Sequence, residues 1–259
     1  EGDVRRDWTR DEVLAALHLY TQLSFGQLHQ RNPEIQSLAQ HMGRTPSSVA
    51  MKLTNLASLD PQITANGRKG LAGASALDRS VWAELQSHWD VTATQAATAF
   101  ERITDQIDVI ANADAASIPL PDFAEGQTRA AIVQVRKNQH VFRRAVLSSY
   151  NNKCCITGLA EERLLIASHI VPWREDHHNR LNPQNGLCLS ALHDRAFDQG
   201  LITVTPEYLV VVSPALKRKS ADSFLADALL SYDQSKIKLP ERFKPSPDFL
   251  QWHGQHFGY

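Results

Sequence analysis

Leu165-Ile166-Ala167-Ser168-His169-Ile170-Val171-Pro172-Trp173 and, after a polar loop, Asn185-Gly186-Leu187-Cys188-Leu189-Ser190-Ala191-Leu192-His193-Asp194-Arg195-Ala196-Phe197-Asp198 decide how the second half of the chain folds. The first run is apolar, ends on a histidine and is broken by Pro172. It reads as a short strand that presents His169 at its end. The loop delivers Asn185, and residues 186–189 form a second short strand. A helix then starts near Ser190 and bears His193, and Gly200 offers it an end. Beyond it, 201–204 and 209–212 read as a hairpin that extends the core. Upstream, Gln139, Phe142, Arg143, Val146, Leu147 and Tyr150 make a helical stripe that leads into Cys154-Cys155-Ile156-Thr157-Gly158.

These motifs resemble the HNH nucleases, whose active site is of the ββα-metal type. The likeness is to the subgroup with Ser-His-Ile-x-Pro-Trp followed by Asn-Gly-Leu-Cys-Leu and His-Asp…Phe-Asp. It covers about half of the chain, from Gln127 onward. Phosphodiester hydrolysis needs a base for water and a cation for the phosphate and leaving oxygen. The resemblance makes His169 that base, a role suited to a side chain that titrates near neutrality. It makes His193 a ligand of one divalent metal, Mg²⁺ or Mn²⁺, and Asn185 the brace that orients His169 through backbone hydrogen bonds.

Two departures matter. Many members carry Asp or His directly before the base, as a metal ligand; here Ser168 stands there. Asp198 is the carboxylate named to complete the shell, with Asp194 as its rival. Asp198 follows His193 by five positions, so shared ligation requires the helix to end or bend there. Second, two Cys-x-x-Cys pairs hold zinc in many relatives, whereas here only Cys155 and Cys188 remain of the four. No structural zinc is expected, and both thiols should be buried. Arg195 is assigned to the scissile phosphate and Arg180 to backbone phosphates, with Arg143, Arg144 and Arg174 nearby. His253 and His256 resemble ligands only superficially; the Pro- and Trp-containing tail around them should pack back onto the domain.

Charge agrees with this division. Residues 127–220 carry 13 Lys/Arg against 7 Asp/Glu, although the net charge of all 259 residues is only −1. The basic stretch is what a phosphate-binding surface needs, and a solvated face is the plainer explanation. Three cysteines are too few for a disulfide framework and fit a reducing, cytoplasmic setting. No apolar run has the length of a bilayer span.

The N-terminal half reads as all helix. Thr9 and Glu12 form a capping box for a helix ending near Gln22. Pro33 opens a second helix that stops at Gly43, and Thr45-Pro46 opens a third that runs to about Ser58. Ala39, Gly43 and Val49 have the spacing of a helix-turn-helix, and a plain helical bundle has it too. In the former, Arg44, Ser47, Ser48, Lys52 and Asn55 would point outward to DNA. Residues 63–76, with Arg68-Lys69, suit a basic wing or a loop, and helices follow at 78–89 and 94–110.

The expected fold class is therefore α+β: a helix-turn-helix-like domain over 1–110, a linker over 111–126 and a ββα-metal domain over 127–259. The expected activity is metal-dependent cleavage of double-stranded DNA, in a restriction enzyme, a class that includes enzymes requiring modified bases. Alternatives are a defence effector whose N-terminal domain senses a partner, a mobile-element nuclease, and a DNA-binding protein with an inactive HNH domain. One active site per chain suggests a homodimer on DNA, with the acidic 61–126 helices as its surface.

Overall fold

Thr9 starts the first helix, α1 (Arg10–Gln22). Its hydroxyl accepts the Glu12 N–H while the Glu12 carboxylate accepts the Thr9 N–H, so two otherwise orphaned donors are satisfied reciprocally. Asn32 caps α2 (Pro33–Met42) through Oδ1, and Gly43 ends it at φ +63°, a left-handed turn that disfavours a side chain. Thr45 caps α3 (Pro46–Ala57). After the short α4 (Pro61–Ala65) come α5 (Ala76–Ser87) and α6 (Trp89–Thr104). Ser75 caps α5 together with Asp78, which explains why α5 begins before residue 78. Leu17, Leu38, Val49, Leu53, Leu56 and Leu85 form the core between these helices.

This computed structural model describes residues 6–65, 67, 73–105 and 129–259. The expected linker over 111–126 and the Arg68-Lys69 pair lie outside the described residues. The chain divides into two compact units between Arg144 and Ala145, within α7 (Arg129–Ser149). The part of α7 up to Arg144 is tied to the first unit. Lys137 pairs with Glu101 at 3.0 Å, Arg144 pairs with Glu34 at 2.8 Å, and Gln22 donates to the Val141 carbonyl.

In the second unit β1 (Leu165–His169) pairs antiparallel with β2 (Gly186–Ser190), setting Ser168 opposite Leu187 and His169 opposite Gly186. Ser190 caps α8 (Ala191–Asp198), and Gly200 turns the chain at φ +63°. The hairpin β3 (Ile202–Val204) and β4 (Val210–Val212) follows, then α9 (Pro214–Lys217), α10 (Ser223–Ala228) and α11 (Pro247–Phe257). Leu165, Leu187, Leu189, Phe197, Ile202, Val210 and Leu250 are buried between them. All three cysteines are buried and none forms a disulfide, with the Cys155 N–H donating to the Cys188 carbonyl at 2.8 Å.

Candidate active site

Asn185 is fully buried and ties the loop after β1 to the start of β2. Its Oδ1 accepts the Val171 N–H at 2.8 Å and its Nδ2 donates to the Val171 carbonyl at 3.0 Å. Its own carbonyl accepts the Ile170 N–H at 3.0 Å. Three hydrogen bonds thus fix the backbone just past His169, and an aspartate could not reproduce the donor among them.

His169 Nε2 lies 2.9 Å from the Arg180 carbonyl and 2.6 Å from Trp173 Nε1. One nitrogen cannot donate to a carbonyl and accept from an N–H at once, so the two contacts belong to the two neutral tautomers. In the tautomer that donates to Arg180, Nδ1 carries the lone pair. Burial pushes the His169 pKa down to about 4, against the Arg180 carbonyl, which favours the protonated form. The imidazole is therefore neutral at physiological pH.

Ser168 faces the other side of β1, toward α8. Its buried Oγ lies close enough to Asp194 to favour the charged form of that carboxylate. Burial nonetheless raises the Asp194 pKa, with Ser168 and Arg195 pulling it back. Asp198 lies one helical turn further on as the exposed last residue of α8, so the helix runs unbroken from His193 to it. Desolvation raises it to about 6, the Asp194 charge adds to this and Arg195 opposes it. A carboxylate whose charge is disfavoured by a neighbouring one, beside the Ser168 hydroxyl, suits a hard divalent cation.

His193 is buried, with Nδ1 at 2.8 Å from Ser190 Oγ and its ring edge-on to Tyr232. Burial lowers its pKa, and the Ala228 backbone, which lies close enough to favour the protonated form, opposes this. Ligation through Nε2 would require Nδ1 to hold the proton and donate it to Ser190, which this contact allows. Among the described residues, no group of three or more His, Cys, Asp or Glu is placed to hold a metal. The donors here fit a cation that keeps several waters, as Mg²⁺ does.

Arg195 is exposed on α8. Arg180 is turned into its own loop: Nε donates to the Trp173 carbonyl at 3.2 Å, the guanidinium stands 5.6 Å from the Trp173 ring, and it also meets His177. Trp173 and Asp194 were legible as motif positions, but sequence reasoning gave Trp173 no contact with the base and Asp194 only a rival's place.

The expectation for the N-terminal helices needs correction. Lys52 and Asn55 do not point outward; both are buried. Lys52 Nζ is held by both Asp78 oxygens, at 2.8 and 2.9 Å, and Asn55 is packed beside Gly73. Arg44 is likewise engaged, pairing with Glu12 at 2.9 Å, donating to the Arg6 and Asp7 carbonyls and lying 4.3 Å from the Trp8 ring. The reason is periodicity: Lys52 falls in the stripe Val49–Lys52–Leu53–Leu56, which faces the core. The exposed side of α3 presents Ser47 and Met51, with Ser48 and Thr54 half-buried.

Residues 154–205 match a protein-family model described as HNH endonuclease. The matched stretch contains β1, β2, α8 and β3, and with them every residue placed above around His169 and Asp198. A search of curated proteins finds no match to the chain. No helix among the described residues is long and apolar enough to cross a membrane.

Proposed function

We propose that this protein is a divalent-metal-dependent DNA endonuclease, with its catalytic centre at the end of β1 and on α8. The observation that carries this is the double hydrogen bond between Asn185 and Val171, which holds the turn behind His169 within the stretch that matches the HNH family. His169 donates Nε2–H to the Arg180 carbonyl and takes a proton from water at Nδ1. The water oxygen then bonds to phosphorus as the P–O bond to the leaving strand breaks, and a solvent proton reaches the leaving oxygen. The negative phosphate brought beside His169 raises the affinity of that imidazole for a proton. Ser168, Asp194 and Asp198, with His193 as the ligand the resemblance adds, would hold a divalent cation, and such a cation would supply positive charge to the phosphate and the leaving oxygen. Exposed Arg195 neutralises the phosphate from the helix side.

The biological role we infer is restriction, of the kind that also includes enzymes dependent on base modification, with the N-terminal unit choosing the site. The α3 face supports a second reading, in which that unit senses a non-nucleic-acid partner. Its exposed residues Ser47 and Met51 carry no charge, and the neighbouring cations Arg44 and Lys52 are engaged internally. Incubation with modified and unmodified supercoiled plasmid in Mg²⁺ or Mn²⁺ tests the nuclease. Metal-dependent nicking is expected; no cleavage of any DNA in either metal overturns it. Met51→Asp in the full chain separates the roles, since it should impair site choice if α3 reads DNA and leave cleavage untouched if α3 meets another partner. One base per chain cuts one strand, so we further propose a two-fold dimer on DNA, seen as direct conversion of supercoiled plasmid to linear.

A further inference from the structure

Residues 206–259 lie beyond the stretch that matches the family, yet their last helix meets the end of α8. His253 on α11 is buried and stacks on Phe197, with ring centroids 3.6 Å apart and planes 8° from parallel. Its Nε2 is 3.1 Å from the Phe197 carbonyl and its Nδ1 is 2.8 Å from Thr203 Oγ1. A carbonyl can only accept, so Nε2 carries the proton and the Thr203 hydroxyl donates to Nδ1. The Phe197 carbonyl also accepts the Gly200 N–H at 2.9 Å. The contact continues past the helix end. A Cβ on Gly200 would lie 2.2 Å from the Phe257 ring, and the Tyr259 hydroxyl donates to the Gly200 carbonyl at 2.9 Å. Asp198 sits between Phe197 and this clamped turn.

We propose that His253 is a positioning residue for the nuclease site: by holding the Phe197 carbonyl it fixes the last turn of α8 and so keeps the Asp198 carboxylate beside Asp194. This rests on the reading of Asp198 as a metal-binding carboxylate. A carboxylate on a frayed helix end samples many directions, and that freedom must be given up when a cation binds. Loss of His253 therefore acts on metal affinity more than on turnover with the site filled.

His253→Phe keeps a ring against Phe197 but removes the donor; His253→Gln restores a donor without the ring. Binding of Mn²⁺ alone, followed by the electron paramagnetic resonance signal of the free ion, reads the affinity. The Kd for Mn²⁺ should rise about tenfold in His253→Phe, with nicking at saturating Mn²⁺ within about twofold of wild type, and His253→Gln should recover most of the loss. Amide exchange at Leu201, whose N–H donates to Ala196 at 2.8 Å, should quicken in the Phe variant only. An unchanged Kd in a folded His253→Phe protein overturns the proposal, as does loss of nicking at saturating metal without a change in Kd. Should His253→Phe not fold, Thr203→Val, which removes the hydroxyl that fixes the His253 tautomer, must shift Kd in the same direction. A wild-type chain that neither binds Mn²⁺ nor nicks overturns the nuclease reading instead, and exchange at Leu201 then decides alone whether His253 pins the helix end.

Discussion

At the scale of residues, the roles divide between the two faces of β1. Neighbouring residues on a strand point to opposite sides, so Ser168 meets α8 while His169 meets the Trp173–Arg180 loop. In the function proposed above, a base and a ligand thereby serve one phosphate without competing for one another. His169→Ala should lower nicking by about 10²–10⁴-fold, the usual worth of a general base, while DNA binding in a gel-shift assay stays near wild type. Retention of nearly full nicking would remove His169 from this role. The carboxylates make a second prediction. Asp194 touches both Ser168 and Asp198 through its charge, so Asp194→Asn should raise the Mg²⁺ concentration for half-maximal nicking at least as much as Asp198→Asn does. A metal titration in which only Asp198→Asn shifts the midpoint would return Asp194 to a structural role.

At the scale of elements, α3 shows how a side chain type can mislead when its position is not counted. Lysine and asparagine suggested a DNA-facing helix, yet Lys52 stands three residues after Val49 and four before Leu56, within the buried stripe. Asp78 meets it there from α5, and such a pair is costly to break because one charge is left buried alone. Asp78→Ala should destabilise the first unit by about 3–5 kcal/mol in urea unfolding, whereas the double change Lys52→Met, Asp78→Ala should recover much of that loss. Equal destabilisation by the single and double changes would show that Asp78 matters through its cap on α5 alone. The elements around the candidate site were far more legible. His169, Asn185 and Gly200 are chemical and conformational landmarks, and β1, β2, the end of α8 and the β3–β4 hairpin follow from them within a residue or two. What stayed hidden depends on partners distant in sequence: Glu12 with Arg44, Lys52 with Asp78, and His253 with Phe197. No periodicity announces these pairings, because each arises only when separate helices meet.

At the scale of the whole molecule, each unit encloses a histidine that folding keeps neutral. In the first unit burial lowers the His18 pKa to about 3, with the charges of Arg144 and His140 acting in the same direction. In the second, burial lowers His253 to about 4, partly opposed by the Phe197 carbonyl and reinforced by His256. An unfolded histidine titrates near about 6.5. Below that pH the unfolded chain takes up protons that the folded units refuse, so each unit loses stability as the solution becomes more acid. The sign is the opposite of that for a histidine held by a carboxylate. Stability from His18 is complete above about 6.5 and falls until pH reaches about 3, while that from His253 stops falling near 4. Each group contributes a slope of at most about 1.4 kcal/mol per pH unit within its window. Urea unfolding at a series of pH values from 7.5 downward should therefore show both units weakening together between about 6.5 and 4, with only the His18 contribution continuing below. His18→Gln should flatten this dependence for the first unit alone, and His253→Gln should reduce it for the second alone, where buried His169 keeps a share of its own. If either replacement leaves the acid slope of its own unit unchanged, the buried histidine there is not what limits stability in acid.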